Sequence, residues 1–302
     1  MNDQKMDVTV LLPCFNEQEA IPVVVHDIRA AMDGTRYRYE IMLVDDNSTD
    51  DSAAIALSLG CRIIRRPVRK GAGASRRTGI LASQADIIVM LDTDGTYTAA
   101  DIPRLLEYFP EYDQVNGART SEQGTIAWLR YPTKWFIRQL AQLLAGQKIP
   151  DLNTGLKAFK RKKMLQYLWV IPDGFSCVSS MTLAFLCNDH PVKYIPTVYH
   201  RRIGRSKFHP VKDTYLYLIT ICRLITYFDP IRIFFPMALL LIFGGILKSI
   251  FDYIFVIGRL QLSDVVLILG GVTVFFLGLL SDLIVAQHRT YRHDACEDRE
   301  NQ

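Results

Sequence analysis

Two carboxylates set two residues apart, Asp92 and Asp94, close the apolar run Ala85-Asp86-Ile87-Ile88-Val89-Met90-Leu91 and are followed by Gly95. Such a run predicts a buried parallel strand that delivers both side chains to the carboxyl edge of a sheet, the edge where open α/β sheets bind ligands. Paired carboxylates at a strand exit suit one hard divalent cation, whose remaining partners are substrate phosphates when it is Mg²⁺. The plainer alternative is that an acidic residue after a strand only caps the next helix. A second acidic cluster, Asp45-Asp46-Asn47-Ser48-Thr49-Asp50-Asp51, follows the apolar Glu40–Val44. Parallel strands joined by right-handed crossovers put both exits side by side on one edge. Asp45 and Asp46 are the ligand-facing candidates there, and one of Asp50 and Asp51 is expected to cap a helix.

The elements that would position these groups read as an α/β order. Strands are predicted at Val8–Pro13, Glu40–Val44, Arg62–Arg65, through Leu91 and at Gln114–Arg119, with helices between them near 18–32, 50–59, 70–83 and 100–109. Lys70-Gly71-Ala72-Gly73-Ala74-Ser75-Arg76-Arg77 opens the third helix, where small residues flanked by cations favour an anion. Close helix–sheet packing explains the same residues equally well. A net charge of +4 over 302 residues is too mild to argue for nucleic acid. The six cysteines have no metal-ligand spacing and fit unpaired thiols in a reducing compartment, and the polar Met1–Asp7 is no cleavable signal peptide.

The ordered set Leu12-Pro13-Cys14-Phe15-Asn16-Glu17, Val44–Asp50, Gly71-Ala72-Gly73, Asp92-Thr93-Asp94, Asp151–Lys157 and Tyr199–Lys207 resembles the family 2 glycosyltransferases of the A-type fold. Within them it is similar to the polyprenyl-phosphate sugar synthases. The resemblance implies a nucleotide-sugar transferase domain that moves one hexose, with inversion, from a nucleoside diphosphate to a polyprenyl phosphate. It implies a nucleotide pocket of Pro13, Asn16, Glu17, Asp45, Asp46 and Gly71, with Asp92 and Asp94 holding Mg²⁺ or Mn²⁺. Asp151 would sit beside the sugar and acceptor. Two departures stand out: Thr96 replaces a glutamine common on the metal side, and 174–180 holds no glutamate for a base. A lipid phosphate is already anionic and needs no base, only cations to position it. Arg119, Arg130, Arg201, Arg202, Arg205 and Lys207, with Ser206, are the acceptor-side groups available.

Beyond this domain, 126–140 and 208–228 mix aromatic, cationic and aliphatic residues as interfacial helices do. Ile233–Leu247 and Val265–Ser281 are uncharged, and each reaches the ~20 residues of a membrane span only when extended, to Phe251 and Ala286. The expected plan is a transferase domain over 1–207, an amphipathic juxtamembrane helix over 208–230, two transmembrane helices over 231–288 and a tail over 289–302. Cations before the first span and after the second place the domain and both termini in the cytoplasm. The rivals are a family 2 enzyme acting on a glycan and a non-catalytic membrane scaffold; the sugar, the base and any homo-oligomer are left open.

Overall fold

The computed structural model describes residues 6–120, 139, 142, 146–174, 176–200, 202–203, 219–220, 222–224, 226–256, 259 and 261–300, with side chains to 287. Arg130, Arg201, Arg205, Ser206 and Lys207, the interfacial segment over 126–138 and most of 208–221 lie outside the described residues. The chain divides into two compact units, Met1–Ile221 and Cys222–Gln302.

Unit 1 is a mixed sheet of seven strands. They are β1 (Val8–Cys14), β2 (Tyr39–Asp45), β3 (Arg62–Arg65), β4 (Ile87–Met90), β5 (Gln114–Arg119), β6 (Lys157–Lys160) and β7 (Val192–Thr197), in the order β3-β2-β1-β4-β6-β5-β7. Only β6 runs against its neighbours, and the β1–β2, β1–β4, β2–β3 and β5–β7 pairs are parallel. The five strands read from sequence are all present, with β1 standing between β2 and β4. Their acidic exits therefore flank the exit of β1 rather than touching each other.

The centre of the sheet is buried on both faces, which is why β1 and β4 read as unbroken apolar runs. Val8, Val10 and Leu12 of β1 pack with Ile21, Val24, Val25 and Ile28 of helix α1 (Ile21–Met32), all in one core with Leu105 and Leu106 of α4 (Ile102–Leu106). Burying each such side chain stabilises the fold by about 1.5–3 kcal/mol. The opposite face carries Leu11 against Gly79 of α3 (Ala72–Ala82), so close that a Cβ at 79 would lie 2.2 Å from a Leu11 methyl. Helix α2 (Ser52–Ser58) lies between β2 and β3 in sequence, and α5 (Arg161–Leu165) and α6 (Cys177–Leu186) separate β6 from β7. Every residue of α6 is buried. The expected helices begin two to three residues early, and the one over 100–109 also runs three residues too far, within the usual scatter of helix ends.

Unit 2 holds two antiparallel helices, α7 (Ile231–Phe251) and α8 (Leu262–Glu300). The stretches Ile231–Phe255 and Leu262–Gln287, with mean hydropathies of 2.1 and 2.2, are long and apolar enough to cross a membrane. Small residues repeat every seven along the contact: Ala238 and Gly245 on α7, Gly271 and Gly278 on α8. A Cβ on Gly271 would lie 2.9 Å from the Ala238 carbonyl oxygen, and one on Gly278 would lie 2.5 Å from Phe234 Cβ. Close approach of small residues replaces the hydrophobic effect as the source of helix pairing in lipid. At the tip, Lys248 Nζ donates to Asp252 (2.5 Å), Ser263 (2.9 Å) and Asp264 (2.7 Å).

Candidate active site

Six chain segments meet at one edge of the sheet, because six strands run the same way and β6 starts where they end. They are the exits of β1 (Cys14–Glu17), β2 (Asp45, Asp46), β4 (Asp92–Thr96), β5 (Arg119) and β7 (Tyr199–Ile203), and the loop Asp151–Gly155 entering β6.

Asp92 and Asp94 sit at the middle of this edge, and each has one oxygen fixed by the protein. Asp92 Oδ1 accepts from Nη2 of the buried Arg76 on α3, and Asp94 Oδ1 accepts from the Thr96 amide (3.1 Å) and hydroxyl (2.6 Å). Gly95 turns the chain between Asp94 and Thr96 at φ +72°, a left-handed conformation that costs glycine little. Asp92 Oδ2 faces Gly155, where a Cβ would come within 2.0 Å of it, and the Gly155 amide donates to Tyr97 Oη at 2.8 Å. Asp94 Oδ2 lies 3.3 Å from Arg202 Nη2. Burial raises the Asp92 carboxyl from its ordinary range, Asp94's charge adds to this, and Arg76 opposes it. Two carboxylates at one strand exit, each with one oxygen held by the protein, Asp92 by Arg76 and Asp94 by Thr96, and a second oxygen outside those hydrogen bonds, suit monodentate binding of a hard divalent cation. Thr96, which stands where the family often has a metal-side glutamine, spends its hydroxyl orienting Asp94. Within this shell Arg76 is itself held, its Nη1 donating to Cys177 Sγ at 2.9 Å.

The residues expected to bound a nucleotide form a braced wall. Pro13 O accepts from the Thr93 hydroxyl (2.7 Å), tying β1 to β4, and Asn16, at φ 52°, accepts from the Thr49 amide (2.9 Å), tying β1 to β2. Asp45 points inward: it is fully buried, and its Oδ1 accepts from the Ser48 amide. Asp46 accepts from Arg66 Nη1 (3.0 Å), Lys70 N (3.1 Å) and Gly71 N (2.6 Å). The anion expected at the start of α3 is therefore the chain's own Asp46, while Gly73 N donates to the Asp173 carbonyl. Asp51 holds the N-cap position of α2 without a side-chain hydrogen bond, and it is the Asp50 carboxylate that accepts from Ser52 N and Oγ at the helix start. The guanidinium of Arg69 stacks 3.9 Å over Phe15 beside this wall.

On the other side, Arg119 and Asp151 are brought together as a fork: Nε to Oδ2 at 2.6 Å and Nη2 to Oδ1 at 2.9 Å. Burial alone would raise the Asp151 carboxyl, but this fork holds it below the usual carboxylate range. Arg119 also lies 5.3 Å from the centre of the Tyr199 ring. Tyr199 bridges to Tyr97 across the edge, His200 N donates to Thr96 O and Ile203 N to Asp94 O, so the β7 exit is strapped to the carboxylate turn. Arg202 reaches Glu17 Oε1 at 3.1 Å as well as Asp94.

Sequence reasoning placed the carboxylates but missed their supports. Arg76 was visible only as one of the cations around an expected anion. Nothing in the sequence paired it with Asp92, Cys177 with Arg76, or Gly155 with Asp92. Lys157 closes one of the motifs, yet nothing in the sequence points to its burial: its ammonium donates to Val178 O (2.7 Å) and Thr182 Oγ1 (2.8 Å) on α6. Burial, with Arg76 nearby, pushes its pKa down to about 7.

Residues 9–168 match Glycosyl transferase family 2, and 229–286 match the GtrB C-terminal hairpin. Glycosyltransferase AglJ of Haloferax volcanii is 27% identical over 93% of this chain and 95% of its own. A dolichyl-phosphate hexose transferase of the same organism is 29% identical over 68% and 87%. An undecaprenyl-phosphate 4-deoxy-4-formamido-L-arabinose transferase of Pseudomonas savastanoi is 28% identical over 90% and 81%. Among solved structures, glucosyl-3-phosphoglycerate synthase of Mycobacterium tuberculosis, crystallised with Mn²⁺, UDP and glucosyl-3-phosphoglycerate, superposes with a TM-score of 0.60 at 18% identity, covering 72% of this chain and 80% of its own. With a family match across more than half its length, on a mostly parallel sheet of the A-type fold, this chain belongs to glycosyl transferase family 2 and is a glycosyltransferase.

Proposed function

We propose that this enzyme transfers one hexose, with inversion, from a nucleoside-diphosphate sugar, UDP-glucose or GDP-mannose in the first instance, to a polyprenyl phosphate. The observation that carries it is the carboxylate pair at the exit of β4, Asp92 and Asp94, each keeping its Oδ2 outside the hydrogen bonds that hold its Oδ1, in a chain that also bears an apolar helical hairpin. Relatives named for dolichyl-phosphate and undecaprenyl-phosphate sugar transfer support the acceptor class.

Asp92 and Asp94 would hold Mg²⁺ or Mn²⁺, which when bound neutralises the departing diphosphate. Pro13, Asn16, Glu17 and the Asp46-braced loop through Gly71 bound the nucleotide, with Asp45 supporting the turn beneath. Asp151 fixes the direction of the Arg119 guanidinium, so that this cation, with Arg130, Arg201, Arg202, Ser206 and Lys207, meets the lipid phosphate. A phosphate oxygen then attacks the anomeric carbon as the bond to the nucleoside diphosphate breaks. No proton has to be removed, since the attacking oxygen is already anionic. We place the catalytic unit and both termini in the cytoplasm, because Arg223, Arg232, Arg289 and Arg292 flank the hairpin while its short connection balances Lys248 and Arg259 against Asp252 and Asp264.

The test uses full-length protein in detergent with labelled UDP-glucose, UDP-N-acetylglucosamine and GDP-mannose and a short-chain polyprenyl phosphate, the product being extracted into organic solvent. Transfer to the lipid is expected, falling ~10²-fold or more in Asp92→Asn and in Asp94→Asn. A sugar hydroxyl that accepts better than the lipid overturns the acceptor, and variants that keep full activity in chelator overturn the metal site.

A further inference from the structure

Arg202 stands where two charges of the same sign cannot both be comfortable. Its Nη2 bridges Glu17 Oε1 (3.1 Å) on the donor wall and Asp94 Oδ2 (3.3 Å), the one outward oxygen of that carboxylate. The other Asp94 oxygen is committed to Thr96. The segment bearing Arg202 cannot drift far, because His200 N and Ile203 N are hydrogen-bonded to Thr96 O and Asp94 O. Yet the guanidinium is not fully satisfied: Arg202 Nε is buried without a hydrogen-bond partner among the described residues. A planar fork designed to stay would use its parallel donors on one carboxylate, as Arg119 does on Asp151. Among the described residues Arg202 instead donates one hydrogen bond, to Glu17, and faces Asp94 as an ion pair alone, the arrangement of a cation balancing local negative charge rather than recognising a partner.

We propose that Arg202 is a displaceable stand-in for the divalent cation, occupying Asp94 Oδ2 in the unliganded enzyme and leaving it when the metal site fills. This rests on Asp92 and Asp94 being the metal carboxylates. Arg202 and the metal then compete for one oxygen, so each weakens the other's hold on it. While it holds Asp94 and Glu17, Arg202 cannot offer its fork to a phosphate. Loading of the donor side therefore sets free an anion-binding arginine, and the enzyme acquires an order, metal before acceptor phosphate, from a side chain that has one position too few.

The test reads Mn²⁺ alone, without donor or acceptor, by electron paramagnetic resonance titration of the full-length protein in detergent. Arg202→Gln is expected to bind Mn²⁺ about tenfold or more tightly than wild type, the fold equivalent of losing one close, partly buried competing charge. Arg119→Gln removes an equal charge from the same edge without vacating Asp94, and should leave Mn²⁺ affinity within about twofold, because its fork is spent on Asp151 and, among the described residues, on neither Asp92 nor Asp94. Equal tightening in both variants, or none in Arg202→Gln, overturns the proposal. In the wild type, an arginine-directed dicarbonyl read by mass spectrometry should modify Arg202 faster once Mn²⁺ is added. Unchanged or slower modification overturns it independently of any variant's folding. Wild-type Mn²⁺ binding that is lost in Asp94→Asn but unaltered in Arg202→Gln sinks the stand-in alone; no Mn²⁺ binding in wild type or Arg202→Gln sinks the metal site with it.

Discussion

Gly155→Ala is the sharpest probe of the carboxylate geometry, because it changes no group that takes part in the chemistry. The added methyl would lie 2.0 Å from Asp92 Oδ2, 2.6 Å from Asp92 Cγ and 3.0 Å from Tyr97 Cε2. An unstrained carbon–oxygen contact needs about 3.5 Å, so the carboxylate or the Asp151–Gly155 loop has to move by more than about 1 Å. Arg76 pins the far oxygen of Asp92, and Gly155 is itself hydrogen-bonded to Tyr97, which leaves little slack on either side. Overpacking of this kind costs about 1–3 kcal/mol of stability, which a folded domain survives. A reacting group displaced by about 1 Å loses ~10²-fold in rate. Gly155→Ala should therefore stay folded, lose ~10²-fold in kcat for lipid glycosylation and bind Mn²⁺ more weakly. Gly174→Ala, where a Cβ meets nothing within 4 Å, is the matched control and should retain wild-type turnover. If the Gly155 variant keeps kcat within about threefold of wild type with the same Mn²⁺ affinity, Asp92 does not work from the position described.

Lys157 makes a prediction about pH. Its pKa in the fold is about 7 against an ordinary 10.5, so between these values the unfolded chain binds one more proton than the native one and stability rises with pH; below about 7 both states are protonated and the contribution is flat. Lys157→Met should remove about 2–3 kcal/mol of the rise between pH 7.5 and 9.5, read as urea midpoints of the full-length protein at both pH values; an identical pH slope in variant and wild type refutes the buried-lysine assignment. At the hairpin tip, Lys248→Ala leaves Asp252 and Asp264 facing each other, so amide exchange around Ser263–Val266 should quicken, and the effect should shrink in an Asp264→Asn background. Equal effects of Lys248→Ala in both backgrounds would show that the two charges are not coupled.

The strands and the edge were legible because their signal is local: an apolar run ending in carboxylates says both buried strand and ligand edge. Val192–Thr197 and Lys157–Lys160 were not anticipated as strands, since the first carries Pro196 and alternates poorly, and the second is four residues bounded by lysines. Lys157 misled in a further way, for a lysine normally argues for solvent, and only the Val178 carbonyl and Thr182 hydroxyl on α6 make its burial tolerable. The same limit hid the shell around Asp92. Arg76 is 16 residues from Asp92 and 101 from Cys177, and contacts of that range are set by packing rather than by any periodicity. The hairpin, whose signal is composition over about 20 residues, was the easiest element to find.

The reversed strand has an architectural consequence. β5 and β6 are antiparallel neighbours, so the chain leaves the sheet at Arg119 and re-enters it at Lys157 on the same edge, with Gly117 N still hydrogen-bonded to Leu156 O. Everything between these points is a parenthesis that opens and closes at one place. The sheet registers only its two ends, and lengthening such an excursion costs little because closure entropy grows slowly with loop length. A parallel β5–β6 pair would instead have required a crossover of constrained size and hand. By turning one strand around, the fold lets the length of chain between β5 and the Asp151–Gly155 loop vary while the exits of β1, β2 and β4 keep their places in the sheet.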